Sequence, residues 1–100
     1  MAGDLQQLDP AIRALLPGYL ANRRKDIKNL MRLLAEKQMN EIRLLGHNIK
    51  GSGGSYGMQD FSKVGHNIEQ AALTNDVDAL TRHFKDLERC ITHLATQLES

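Results

Sequence analysis

The sequence predicts an all-α protein, an antiparallel up-down-up-down four-helix bundle with a short extra N-terminal helix. Three observations carry this. Both flanks of the chain are rich in Leu, Lys, Arg, Gln and Glu, which are good helix formers. No stretch alternates β-branched with polar residues, so no sheet is expected. Apolar residues recur at three- and four-residue spacing in long runs separated by short links, and short links make antiparallel neighbours.

The elements follow in order. Asp9-Pro10 reads as an N-cap followed by proline at the first helical position. A short helix is expected from there to about Leu16. Pro17 then starts a longer helix with the stripe Leu16, Leu20, Ile27, Leu30 and Leu34, ending near Lys37. Asn40 is the expected cap of a third helix, which turns Ile42, Leu45, Ile49, Ser52 and Tyr56 inward. Gly57 is a natural left-handed stop. A fourth helix carries Phe61, Val64, Gly65, Ile68 and Ala72. Asn75 is the expected cap of a fifth, with Asp76 and Asp78 in its first turn, where they favour the helix dipole. Its stripe is the cleanest: Val77, Leu80, Phe84, Leu87, Ile91, Leu94 and Leu98. The longest helices should span about 30 Å. Local contacts dominate such a bundle, so fast folding and a monomer are expected.

Composition narrows the function. One hundred residues, 41% apolar and 25% charged, make one globular domain over residues 1–100. The lone Cys90 excludes a disulfide framework and a Cys-rich zinc site, and it fits a reducing compartment such as the cytoplasm. Thirteen basic and twelve acidic residues give a net charge of +1, so electrostatics offer no case for nucleic acid. Charges interrupt the chain too often for a membrane span. The start, Met-Ala-Gly-Asp-Leu-Gln-Gln, lacks the basic and apolar regions of a signal peptide.

One stretch carries chemistry: Gly46-His47-Asn48-Ile49-Lys50-Gly51-Ser52-Gly53-Gly54-Ser55-Tyr56-Gly57. On a helix at about 100° per residue, His47, Lys50, Gly51 and Gly54 share a face almost opposite the apolar stripe. Arg43 joins them one turn earlier. Each interior glycine costs a helix about 1 kcal/mol relative to Ala. On a solvent face such glycines have no packing role, but they clear side chains from around His47 so that another protein's backbone can approach. An accessible histidine, a neighbouring cation and a cleared surface suit a nucleophile that takes a phosphoryl group from a partner. The run of Gly and Ser also fits a flexible loop, and periodicity alone leaves helix and loop both open.

His47-x-x-Lys50-Gly51-Ser52, with Gly57 further on, resembles the signature of histidine phosphotransfer (HPt) domains of two-component systems and multistep phosphorelays. The similarity continues in Ile68-Glu69 and Ala71-Ala72, and upstream in Leu16-Pro17-Gly18-Tyr19-Leu20 and Arg23-Arg24. Gly46 and Gly53-Gly54 depart from it, standing where the family more often has Ala or Ser. The resemblance implies that His47 is the phosphorylation site, attacking through Nε2, and that the domain is a carrier with no activity of its own. It implies as partners the receiver domains of response regulators or hybrid histidine kinases, each with a phospho-aspartate and a bound Mg²⁺. No cofactor of its own is expected. Neutral imidazole is nucleophilic near pH 7, since its ordinary pKa is about 6.5. Lys50 would offset charge on the phosphoryl oxygens. Gly51 and Gly54 would leave room for the receiver, and Arg43 would add attraction toward its acidic pocket.

Other residues read as structural. His66 is expected to be exposed, with Glu69 rather than a lysine three residues on, which disfavours it as an acceptor. His83 sits at the edge of the last stripe. Cys90 and His93 have i, i+3 spacing but no evident further metal ligands. Arg23, Arg24 and Lys25 spread around their helix and read as a solvated rim. The competing reading is a helical interaction module whose His47 face binds a partner without phosphorylation. An autonomous enzyme is disfavoured, since the chain has no nucleotide loop, no His-Glu-x-x-His and no catalytic carboxylate pair.

Overall fold

The computed structural model describes residues 5–99, apart from the side chain of Gln6. The reading of the chain's start as lacking a signal peptide rests partly on residues 1–4, which lie outside that range. A 3-10 turn spans Leu5–Gln7. Four helices follow: α1 (Pro10–Ala35), α2 (Met39–Ser55), α3 (Gln59–Leu73) and α4 (Val77–Glu99). Each packs against its neighbours around a ring, with α1 closing against α4. This is the expected all-α bundle, and no strand occurs among the described residues. At 1.5 Å per residue the 26 residues of α1 account for the 39 Å long axis.

The sequence expectation of a break at Pro17 is corrected: α1 runs straight through it. Proline there forfeits one backbone hydrogen bond and costs about 3 kcal/mol in a helix interior. Pro17 and Gly18 are exposed, whereas Leu16, Tyr19 and Leu20 beside them are buried. Three such side chains gain about 2 kcal/mol each on burial, so packing outweighs the local signal. The short extra helix is therefore the 3-10 turn at Leu5–Gln7, not residues 10–16. Leu5 and Leu8 lie partly buried against the core.

The predicted cap of α1 is present, with the Ala11 amide donating to Asp9 Oδ1 at 2.7 Å. Two other caps move. Asn40 lies inside the first turn of α2, whose N-cap is Gln38. Asn75 does not cap α4; Asp76 does, its Oδ1 accepting from the Ala79 amide at 3.0 Å. The reason lies in the links. Each of the three helix–helix links is closed by a residue with positive φ: Lys37 (58°), Gly57 (71°) and Asn75 (54°). In each, the amides of that residue and the next bond back to carbonyls of the helix just ended, as in Asn75 to Ala72 and Asp76 to Ala71. Asn75 is thus used as a helix stop, and the next residue takes the cap.

The core is apolar throughout, with Leu16, Leu30, Ile42, Ile49, Ile68, Leu80, Leu87 and Leu94 fully buried. The stripe predicted for α4 faces it from Leu80 onward, but Val77, in the first turn, is 48% exposed. Gly51 and Gly54 face solvent, as expected. Gly46 and Gly53 are buried, together with Gly65 of α3. A Cβ on Gly46 would stand 2.8 Å from the Glu69 amide nitrogen, and one on Gly53 would stand 2.6 Å from that of Ser62. Helices α2 and α3 therefore meet backbone to backbone.

Candidate functional site

Helix α2 continues through the glycine-rich stretch to Ser55, so of helix and loop the structure takes helix. Two supports hold it against its low propensity. One is the close seat on α3. The other lies on the α1 side, where Arg23 Nη1 donates to Ser52 Oγ at 2.7 Å. Arg23 Nε also donates to Asp26 Oδ2 at 2.7 Å, and its guanidinium sits 4.7 Å from the centre of the Tyr19 ring. Tyr19 in turn packs on Tyr56 and edge-on to Phe61. Arg23 is only 12% exposed, so it is not part of a solvated rim; Arg24 and Lys25 are exposed. Burial pushes the Asp26 carboxyl above its ordinary range, with Arg23 pulling it back. Burial also raises the Tyr19 phenol.

The outward face of α2 carries His47, Lys50, Gly51 and Gly54 at i, i+3, i+4 and i+7, with Arg43 one turn before. The His47 side chain is 63% exposed. Nothing lies within 4 Å of where a Gly51 Cβ would be, and at Gly54 only Ser62 Oγ comes within 4.0 Å. Lys50 and Arg43 are half-buried. Neither is engaged in an ion pair among the described residues.

Sequence reasoning missed Glu69 as a partner of His47. Its Oε2 lies 3.1 Å from His47 Nδ1, and its side chain is only 13% exposed. A carboxylate accepts and does not donate, so the imidazole proton sits on Nδ1. That leaves the lone pair on Nε2 of a largely exposed ring. The pairing also explains why Glu69 does not serve His66, three residues before it. His66 is exposed and stands outside this arrangement. The available signal was that Glu69 flanks the buried Ile68 on a helix next to α2, but the register between the two helices is not visible in either stripe.

The remaining candidates stay apart from this face. His83 is half-buried, with Nδ1 3.6 Å from Asp86 Oδ2. Burial, aided by Asp60 and Asp86, pushes the Cys90 thiol up to about 11. Among the described residues no group of three or more His, Cys, Asp and Glu side chains could hold a metal ion. No helix among them is long and apolar enough to cross a membrane.

The site is thus an exposed imidazole, oriented from behind by a shielded carboxylate and flanked by a cation and a cleared surface. Such a group can attack an electrophile presented by another molecule. A family model described as the Hpt domain matches residues 14–99. No curated protein and no solved structure matches the chain.

Proposed function

This chain belongs to the Hpt domain family, and on that premise we propose that His47 is its phosphoacceptor, exchanging a phosphoryl group with receiver domains. A histidine phosphotransfer role, as carrier rather than catalyst, is what membership supplies. The reading for this chain rests on one observation: Glu69 Oε2 lies 3.1 Å from Nδ1 of the largely exposed His47, a contact that places the ring proton on Nδ1 and the lone pair on Nε2.

In the proposed step the Nε2 lone pair attacks the phosphorus of a receiver's phospho-aspartate in line with the departing carboxylate oxygen. The N–P bond forms, the P–O bond to aspartate breaks, and the carboxylate leaves with its electron pair. As Nε2 carries no proton, none has to be removed before attack. Glu69 faces the positive charge that develops on the ring. Lys50, about one turn away, offsets charge on the phosphoryl oxygens. A Mg²⁺ bound in the receiver would supply further charge neutralisation there. Gly51 and Gly54 let the receiver's backbone approach, and Arg43 attracts its acidic pocket. The reverse step reloads a receiver, so one site serves both directions. The carrier acts as a monomer in the cytoplasm.

The test is phosphotransfer from a panel of phosphorylated receiver domains to the wild type and to His47→Gln. Acid-labile, alkali-stable label in the wild type alone supports the reading. Equal label in a folded His47→Gln protein would remove it. A wild type that binds receivers but never takes label would favour a plain interaction module.

A further inference from the structure

We propose that Gly46 and Gly65 are positioning residues for the phosphoacceptor, because the absence of both side chains sets the α2–α3 separation at which Glu69 reaches His47. The inference rests on the reading of His47 as acceptor.

Both glycines are buried inside helices, where the residue type is unfavourable. Neither has a positive φ, so conformation does not demand glycine at either position. Space does. A Cβ on Gly46 would stand 2.8 Å from the Glu69 nitrogen, 2.9 Å from the Gly65 oxygen and 3.0 Å from Ile68 Cγ2. A Cβ on Gly65 would run into the Lys50 nitrogen and stand 2.8 Å from the Gly46 oxygen. Most of these atoms are backbone, so no change of rotamer relieves them; one helix has to move from the other.

The atoms met belong to the site itself. Gly46 directly precedes His47, and its close neighbour is the backbone of Glu69. Gly65 abuts the backbone of Lys50. Relieving the Gly46 contacts to ordinary separation would part the helices by about half an ångström or more. The His47–Glu69 bond, already 3.1 Å long, has little room for that. Gly51 and Gly54 are different, since a methyl group there meets open space or an ordinary contact.

The test reads the His47 ring directly, without phosphate. Long-range ¹H–¹⁵N correlation spectra of the unphosphorylated protein report which ring nitrogen holds the proton. The wild type should show Nδ1–H. In Gly46→Ala and in Gly65→Ala the tautomer ratio should shift toward Nε2–H by about tenfold, as it should in Glu69→Ala, the reference for a lost bond. Gly54→Ala should keep the wild-type ratio. Both glycine variants are also made with Gly51→Ala and Gly54→Ala, exposed changes that favour the helix and meet nothing of α3 nearer than Ser62 Oγ at 4.0 Å. A folded Gly46→Ala protein with the wild-type ratio would overturn the positioning role alone. Failure of the wild type to take up label from any receiver would instead overturn the acceptor reading, and this role with it.

Discussion

Glu69 Oε2 and His47 Nδ1 meet at 3.1 Å across the α2–α3 seam, one side chain largely shielded and the other largely exposed. The bond selects the tautomer whose free lone pair is on Nε2. Glu69→Ala should therefore slow phosphoryl acceptance about tenfold, the share expected of a charge-assisted hydrogen bond. The fold should persist, because neither side chain belongs to the apolar core. Single-turnover transfer from one fixed receiver measures this, and an unchanged rate would deny Glu69 the role.

Gly51→Glu should leave the helix intact, since a side chain at that position meets open space. It should nevertheless block transfer from receivers by more than about tenfold, by occupying the cleared surface and repelling an acidic pocket. Receiver binding and transfer are read together. Unchanged transfer would show that docking does not use this face.

Arg23→Met should destabilise the protein by about 2–3 kcal/mol near pH 7, because it leaves Asp26 without its cation. The pH dependence has a definite sign. The Asp26 carboxyl is raised above 3.8, chiefly by burial. Such a group contributes stability that is complete below 3.8 and is lost as pH rises through the folded value. Removing Arg23 removes what pulls that value back down, so the loss deepens and extends to higher pH. The deficit against wild type should shrink as pH falls toward about 4. Urea unfolding across that range checks it; a deficit independent of pH would assign the effect to lost packing on Tyr19.

Cys90 should resist alkylation. Its thiol is pushed up to about 11 from 9.0, burial being the main cause. Two units leave the native thiolate about 100-fold scarcer at pH 8 than in the unfolded chain. The sign for stability follows: the contribution is complete below 9.0 and is lost as pH rises through about 11. Iodoacetamide labelling in buffer and in urea compares the two states, and equal rates would contradict the burial.

What the sequence made legible was local. Asp9 caps α1 and Gly57 stops α2, because each choice depends on a few neighbouring residues. The α3 stripe of Phe61, Val64, Ile68 and Ala72 is buried as its spacing requires. The outward phase of His47, Lys50, Gly51 and Gly54 was also visible, as it follows from helical period alone. What failed depended on other elements. Pro17 reads as a boundary until Leu16, Tyr19 and Leu20 are seen packed on both sides of it. Arg23 reads as solvated until Asp26 and Ser52 are seen to take its donors. Glu69 finds His47 only through the register between α2 and α3. The close approach of those helices runs through Gly46 and Gly65, where a Cβ would meet backbone of the facing helix; the spacing marks Gly65 only as part of a stripe and Gly46 only as a departure from the family pattern.

The central claim is that His47 attacks through Nε2 while Glu69 holds Nδ1. The most direct measurement is to phosphorylate ¹⁵N-labelled protein from a receiver and locate phosphorus by its coupling to the ring nitrogens. Phosphorus is expected on Nε2 of His47, with Nδ1 still protonated. Phosphorus on Nδ1 of His47, or on His66, would contradict it.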